Sequence, residues 1–290
     1  MGLHIKFNLV LLLAFVSGLA LAAYQSDCFL KDNAREEVIQ ISRIMMQSAM
    51  GARKYTSEHI KPLLAMQMKR KFLKESVSAF AAKQSFEALR TQFPDYHYKE
   101  VALNPTIVED LPSDWEAEII HEFRNNAGLK EKVVERDTPT GRMLNLARPL
   151  IVLEDCLTCH GKPEDAPKTM TDLYGVNNNG FGWQIGETIG AQVVTVPMSV
   201  PLDRARETFK KFMILLSGVF LWLLVLLNIL LHFVVIQPVV RMARIADEVS
   251  LGKPDVPEYV KTGADEISSL SRSFNRMRLS LEKAMNLLGE

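Results

Sequence analysis

The sequence predicts an α+β domain with an antiparallel sheet, attached to a membrane by apolar helices. Two observations predict it: helical periodicity gives way to β-rich stretches along the chain, and two long apolar runs lie outside that region. The 290 residues suffice for one ordinary domain with smaller parts. They include 34 basic and 34 acidic side chains. This zero net charge argues against a nucleic acid partner, because phosphate binding needs a positive excess.

The two apolar runs define the membrane segments. The run Phe212–Ile236 has no formal charge, and a helix needs about 20 apolar residues to cross a bilayer. The run Ile5–Ala23 ends in small residues, so it is either a retained anchor, which we favour, or a cleaved signal. In both cases the following segment is exported. The predicted sections are 1–23 (anchor or signal), 24–211 (outside the cytoplasm), 212–236 (transmembrane helix) and 237–290 (cytoplasmic tail).

The exported section opens with helices. Apolar residues recur every three or four positions from Val38 to Tyr55, and Pro62 closes this helix or begins a new turn. Further helices are predicted over about 73–91 and 114–125. The stretches around 143–153 and 192–199 are β-rich and bounded by Gly and Pro, which predicts strands after helices.

The string Cys156-Leu157-Thr158-Cys159-His160 predicts a covalent haem. Two thiols at i and i+3 reach the two vinyl groups of one porphyrin, and His160 supplies the proximal iron ligand. A redox disulfide would need a thioredoxin-like context, and a zinc site would need further ligands; the sequence shows neither. We therefore expect one haem c, in agreement with export. Cys28, the third cysteine, has no assigned role.

Other haem contacts are less determined by the sequence. Met46 and Met50 on the first helix are candidate sixth ligands, or methionines that fill the core. Trp183, in a glycine-rich stretch, packs either on the porphyrin or in the core. Four cations are candidate partners for the haem propionates, with solvated surface positions as the alternative for each: Arg53, Lys54, Arg142 and Arg148.

The sequence of the tail predicts two amphipathic helices joined by a connector. The first starts at Pro238, a favoured first-turn residue. The connector, Leu251–Gly263, is rich in Gly and Pro, and the second helix begins near Asp265. Its apolar positions repeat at spacings of three and four, as in a coiled-coil seam that needs partner helices: Ile267, Leu270, Phe274, Met277, Leu281, Ala284 and Leu288.

These features resemble two known families. The tail is similar to a HAMP domain, in the proline after the membrane helix and in Asp265-Glu266-Ile267. HAMP domains are parallel dimeric four-helix bundles that relay signals from membrane helices. The exported section resembles a c-type haem sensor-like family with a PAS-like sheet, on an ordered set of motifs: Arg53-Lys54-Tyr55-Thr56, Tyr98-Lys99-Glu100, Asn104-Pro105, Gly141-Arg142, Ala147-Arg148-Pro149, Cys156–Gly161, Tyr174-Gly175, Gly180-Phe181-Gly182-Trp183, Gly186-Glu187 and Gly190-Ala191.

The resemblance implies that the first helix borders the haem and supplies the sixth ligand. No cysteine stands there, so Met46 or Met50 would serve, or the iron is five-coordinate. It further implies a homodimer in a bacterial inner membrane, with a periplasmic haem domain and a cytoplasmic HAMP tail.

The implied function is that of a non-enzymatic sensor of redox state or of a gas. A separate cytoplasmic protein, such as a kinase or cyclase, would take the output, because no such segment follows the HAMP-like tail. The alternative is a membrane-tethered electron carrier. A haem enzyme such as a peroxidase would need a distal acid–base pair, which the sequence does not display.

Overall fold

The computed structural model describes residues 3–176, 180–251, 253 and 256–288, with the backbone alone at 3–4 and 284–288. The chain divides into two compact units. One unit is Asp27–Thr208 and holds the sheet. The other combines Met1–Ser26 with Phe209–Glu290.

The helices and strands are interspersed along the chain, whereas the sequence predicted strands after helices. Two π-helical turns, Thr56–Ile60 and His232–Ile236, interrupt the long helical stretches, and 3₁₀ turns lie at Lys74–Ser76 and Val108–Asp110. The main elements are α1 (Leu3–Tyr55), α2 (Lys61–Met68), α3 (Ser78–Arg90), β1 (His97–Ala102), α4 (Asp114–Asn125), β2 (Lys132–Thr138), β3 (Gly141–Ile151), α5 (Glu154–His160), α6 (Lys168–Tyr174), β4 (Thr188–Pro197), α7 (Ser199–Leu231), α8 (Gln237–Ser250) and α9 (Glu266–Leu288).

Across the described ranges, four strands form one antiparallel sheet in the order β1-β4-β3-β2. In the central pair Leu146 lies opposite Val194, and Val194 in turn lies opposite Tyr98 of β1. Together with the long N-terminal helix, this confirms the predicted α+β class with an antiparallel sheet.

The two faces of the sheet pack against different helices, because side chains alternate along each strand. One face packs against α1 and α3 in a core that includes Val38, Met46, Phe86, Leu144 and Val196. The opposite face packs against α4 through a core that includes Val101, Ile119, Ile120, Phe123, Ala147 and Val193. Both faces are therefore covered, and polar groups within them need internal partners.

The sequence did not predict the two edge strands. β1 carries Lys99 and Glu100, and β2 carries four charged residues, so neither displays an apolar alternation. Charged side chains are common on edge strands because they oppose pairing with further strands. The central strands β3 and β4 are the β-rich stretches that the sequence did reveal.

The helix boundaries agree with the sequence in part. α4 matches the predicted 114–125, and the Glu116 carboxylate accepts a 2.8 Å hydrogen bond from the Ser113 N–H at its start. α3 begins at Ser78, later than predicted, because a 3₁₀ turn precedes it. Pro62 does not end the helical path; it occupies the first turn of α2, where its missing N–H costs little.

Two ion triads tie α1 to the β2–β3 edge of the sheet. Glu131 accepts hydrogen bonds from Arg43 Nε of α1 (2.9 Å) and Arg148 Nη2 of β3 (2.9 Å). Glu135 of β2 pairs with Arg35 of α1 (2.5 Å) and with Arg142 of β3 (2.8 Å). Each carboxylate thus bridges a helix arginine and a strand arginine, which fixes α1 along the sheet.

The second unit contains the two apolar runs and the tail. Two helical stretches, Ile5–Met68 and Ser199–Ser250, contain parts that are long and apolar enough to cross a membrane, by length and composition. A signal sequence would also meet this criterion, so the role of the first run stays a prediction. The predicted span 212–236 lies within the second stretch.

In the tail, α9 turns a polar stripe toward the connector and leaves apolar residues exposed. Ser271 Oγ and Asn275 Nδ2 both donate to the Tyr259 carbonyl at 2.8 Å. Leu270, Met277 and Leu281 of the predicted seam are about half exposed. Other parts of the prediction lie outside the described residues or side chains: Gly252, Pro254, Ala284 and Leu288.

The triad at Glu131 predicts a pH-dependent contribution to stability. Burial opposes ionisation of Glu131, but hydrogen bonds from Arg148 and Arg43 outweigh it and lower its pKa below the ordinary 4.5. A lowered folded-state pKa stabilises the protein above the unfolded value, and this stabilisation is lost as the pH falls through the folded value. Replacing Glu131 by Gln should cost about 1 kcal/mol at pH 7.

Thermal unfolding of the detergent-solubilised protein between pH 3 and 7 checks this. The wild type should lose more stability on acidification than Glu131→Gln. Glu109→Gln, at an exposed carboxylate, is the control and should follow the wild type. An equal loss in wild type and Glu131→Gln would contradict the assignment.

Candidate functional site

The short helix α5 carries the three residues of the attachment string. Cys156 and Cys159 are free thiols and half-buried. Residues three apart on a helix are neighbours on its surface, so both sulfurs lie on one side of α5. The Leu153 N–H donates to Cys156 Sγ at 3.4 Å, at the start of the helix.

The His160 imidazole is held by two contacts. Its Nδ1 lies 2.7 Å from the Gly180 carbonyl oxygen, and its ring stacks on Trp183 with centroids 3.9 Å apart and planes 9° from parallel. A carbonyl only accepts, so Nδ1 carries the proton. In the neutral imidazole Nε2 is then unprotonated, and its lone pair is available to a metal.

The glycine-rich loop is bonded to α5 and to the end of β3. Trp183 N–H donates to the His160 carbonyl (3.1 Å), and Gly182 N–H donates to the Gly161 carbonyl (2.8 Å). Gly186 N–H donates to the Val152 carbonyl at 3.0 Å. The loop is therefore bonded to the chain at the end of the attachment string and shortly before α5 begins.

Gly180 has a conformation and a position that favour glycine. Its φ is +84°, and a Cβ there would collide with the side chain of Thr106. Its N–H donates to Asn104 Oδ1 (3.0 Å), while Asn104 Nδ2 donates to the Phe181 carbonyl (3.2 Å). Asn104, just after β1, thus fixes the peptide whose carbonyl orients His160. Asn104 and Gly180 occur in the motifs of the resemblance, but the sequence did not relate either residue to His160.

Burial favours the neutral forms of two groups at the site, His160 and Cys159. It lowers the pKa of His160, and the hydrogen bond to Gly180 opposes this only in part. It raises the pKa of Cys159, against a weaker opposite effect of Lys61. A neutral imidazole is the form that binds a metal.

A buried polar cluster lies near α5, between α1 and the sheet. Arg53 Nη1 of α1 donates to both Glu100 oxygens, at 2.6 and 2.5 Å. Tyr98 OH donates to Glu100 Oε1 at 2.7 Å, and Gln192 Nε2 donates to Tyr98 OH at 3.1 Å. Although burial acts to lower the pKa of Arg53, Glu100 raises it, with Tyr98 and Cys156 adding smaller effects.

The remaining predicted pocket residues lie in different surroundings. Arg148 is paired with Glu131, as described above. Met46 is fully buried in the core between α1 and the sheet, whereas Met50, one turn later, is half-buried. Neither methionine belongs to the cluster in which Cys156, Leu157 and Trp183 pack against the sheet. Their proposed ligation stays a prediction.

The donor set at α5 fits a covalent haem. It offers two free thiols at the required spacing and one imidazole with Nε2 available. The indole Nε1 of Trp183, stacked on that imidazole, is buried without a hydrogen-bond partner in the protein. Within the residues that the structure describes, no group of three or more His, Cys, Asp or Glu side chains is arranged to hold a metal ion.

Comparison with known proteins assigns the family. The model of the Tll0287-like family matches residues 31–197, more than half of the chain. The chain belongs to the Tll0287-like family. The match covers the sheet, α5 and the glycine-rich loop, and it confirms the resemblance of the section 24–211 to a known domain family.

The HAMP domain model matches residues 230–283, so this Tll0287-like chain carries a HAMP domain at its C-terminal end. A solved structure described as that of the cyanobacterial haem protein Tll0287 is similar, with 15% identity and a TM-score of 0.42. The similarity covers 56% of this chain and 95% of that one. A comparison with curated proteins finds no match.

Replacing Gly180 by Ala should impair the site more than replacing Gly182. Both glycines have positive φ, +84° and +78°, so alanine at either costs about 1–2 kcal/mol of backbone strain. Only at Gly180 does a Cβ also meet other atoms, those of Thr106. The collision should move the carbonyl that accepts from His160.

Haem content per chain and the ferric absorption spectrum measure this effect. Gly180→Ala should lower the content or alter the spectrum, while Gly182→Ala should keep both near the wild-type values. Equal behaviour of the two variants would show that the Gly180 carbonyl does not position the histidine.

Proposed function

We propose that this chain is a haem-based sensor of the bacterial inner membrane. One haem c, attached through Cys156 and Cys159 with His160 as the axial iron ligand, reports redox state or a bound gas in the periplasm. The observation that supports this most directly is the orientation of His160: its Nδ1 is bonded to Gly180, and its Nε2 is left for iron beside two free thiols.

The chain's own residues act by binding and orienting. The thiols fix the porphyrin, and the Gly180 carbonyl with the stacked Trp183 holds the imidazole in one tautomer and one plane. The haem supplies electron transfer and gas binding when present. We propose a non-enzymatic role and assign no catalytic residue.

For the sixth position we propose Met50 rather than Met46. Met50 is half-buried and lies three residues before Arg53, whose pKa is raised in small part by Cys156. Met46 is enclosed by aliphatic side chains of the α1–sheet core. A thioether ligand favours the ferrous state.

The route for a signal follows the chain. β4 ends at Pro197, and α7 begins two residues later at Ser199. α7 includes most of the proposed transmembrane helix, 212–236, and continues through a π-helical turn into α8 of the HAMP domain. A change at the haem that shifts the sheet can therefore bias the packing of the cytoplasmic helices.

The exposed seam of α9 favours a parallel homodimer. Leu270, Met277 and Leu281 repeat along one side of the helix and are about half exposed in the single chain. A coiled-coil seam buries such residues against a second helix. The dimer would then pass the haem state to a separate cytoplasmic protein, such as a kinase or cyclase.

The second candidate function is a membrane-tethered electron carrier. The same attachment site supports it, because a c-type haem serves both roles. The HAMP domain favours the sensor, since an electron carrier has no need of a cytoplasmic relay.

The haem should resist extraction because two thioether bonds hold it. Haem staining should survive denaturing electrophoresis of the wild type and disappear in Cys156→Ala/Cys159→Ala. Cys28→Ala should keep the stain, since Cys28 is exposed on α1 and lies outside the attachment string. Removal of the haem from the wild type by acid–acetone would refute covalent attachment.

Spectra of the same preparations address the sixth position. Met50→Ala should change the ferrous spectrum or increase CO affinity, because it opens a coordination site. Met46→Ala should leave both unchanged. The reverse pattern would assign Met46, and no change in either variant or in the double variant would leave both as packing residues.

Cysteines at Leu270 or Phe274, in a chain with Cys28 replaced by Ser, should cross-link between chains in membranes. Both positions belong to the seam. The rate should depend on the haem state, because allosteric coupling of about 1–3 kcal/mol corresponds to a measurable population shift. Arg272→Cys, exposed on the same helix, is the control.

Two results would count against the proposal in different ways. Cross-linking at a rate that is the same for oxidised, reduced and CO-bound haem would keep the dimer and favour the electron carrier. Seam positions that cross-link no better than Arg272→Cys would contradict the parallel dimer.

A further inference from the structure

The buried cluster around Glu100 adjoins the attachment site. Glu100 and Ala102 point to the same face of β1. Two residues along a strand span about 7 Å. Ala102 packs in the cluster that contains Cys156 and Trp183. Cys156 is also among the groups that raise the pKa of Arg53, which places the two side chains near each other. The Arg53–Glu100 pair therefore lies close to the position that a porphyrin bonded to Cys156 would occupy.

This pair is strongly shielded from solvent. The side chains of Arg53 and Glu100 are 19% and 6% exposed. The carboxylate accepts from Arg53 and Tyr98, and Tyr98 accepts from Gln192, so both charges are satisfied within the protein. Buried charges are screened weakly by water and salt, and burying them is costly. A change of charge nearby therefore exerts a strong electrostatic force on the Arg53–Glu100 pair.

The pair also joins two separate elements. Arg53 belongs to α1 and Glu100 to β1. The other ties between α1 and the sheet, at Arg35 and Arg43, lie 18 and 10 residues earlier in the helix. At 1.5 Å per residue these distances are about 27 and 15 Å. Of these three ties, the one at Arg53 lies nearest to the attachment site.

We propose that the Arg53–Glu100 pair is the contact through which the charge of the haem acts on α1. This inference rests on the haem site proposed above. When a one-electron acceptor outside the protein oxidises ferrous iron, the site gains one positive charge. That charge repels the Arg53 guanidinium and attracts the Glu100 carboxylate. Because the two charges sit on different elements, oxidation weakens the attachment of α1 to the sheet at this point.

The same electrostatics make the pair a determinant of the haem reduction potential. Glu100→Gln removes a negative charge that stabilises ferric iron, so the midpoint potential rises. Arg53→Gln removes a positive charge that destabilises ferric iron, so the potential falls. Arg53→Gln/Glu100→Gln removes both and should lie between the single variants. A purely structural role would not give shifts of opposite sign.

Redox titration in detergent measures these shifts, with full-length variants that haem staining has shown to retain the haem. Glu135→Gln breaks a similar α1–sheet ion pair far from the attachment site and should leave the potential unchanged. Single variants that keep the haem but shift together, or not at all, overturn the inference. Failure of the wild type to retain haem on denaturing gels would instead refute the proposed function.

Hydrogen exchange tests the effect on α1 and remains decisive if a single variant does not fold. In the wild type, amides of residues 49–57 should exchange faster in the ferric than in the ferrous state, while residues around Arg35 should not differ. The double variant, in which the pair is replaced by neutral amides, should lose this difference. A wild type without the difference, or a double variant that retains it, overturns the inference.

Discussion

The hydrogen bond from His160 Nδ1 to the Gly180 carbonyl organises the candidate site. It selects the tautomer, and with the Trp183 stack it fixes the ring plane. It also imposes conditions elsewhere: Gly180 must adopt positive φ beside Thr106, and Asn104 must hold both neighbouring peptides. The end of β1, the end of α5 and the glycine-rich loop are thus positioned together around one carbonyl oxygen.

Ion pairs between α1 and the sheet fix the position of the helix along the strands. A helix that packed on β3 and β4 through aliphatic side chains alone could slide, because such contacts are non-directional. Glu131 and Glu135 oppose sliding, since each bonds an arginine of the helix and one of β3. Glu100 adds a third point, and there the pair is buried rather than at the edge. Its burial makes it sensitive to local charge, whereas the edge triads are partly screened by solvent.

The sequence predicted the parts of the fold whose pattern is local. α4 and the central strands follow from signals within one segment. The edge strands β1 and β2 were missed because their charged residues find partners on other elements, which no single segment reveals. The attachment residues were predicted as a contiguous string. Asn104 and Gly180 were not related to His160, because that relation arises from contacts 76 and 20 residues apart in the chain.

The π-helical turn Thr56–Ile60 has a consequence for helical phase. An α-helix rotates about 100° per residue, so Lys61 would face about 80° away from Arg53 in an uninterrupted helix. The extra residue of a π turn reduces the accumulated rotation about the helix axis by about 100°. Lys61 therefore faces nearly the same side as Arg53, and it pairs with Asp155 of α5. The turn His232–Ile236 similarly precedes a proline in the first turn of the next helix. Inserting or deleting one residue in either turn would therefore rotate every later side chain about the helix axis. The helix itself would stay continuous.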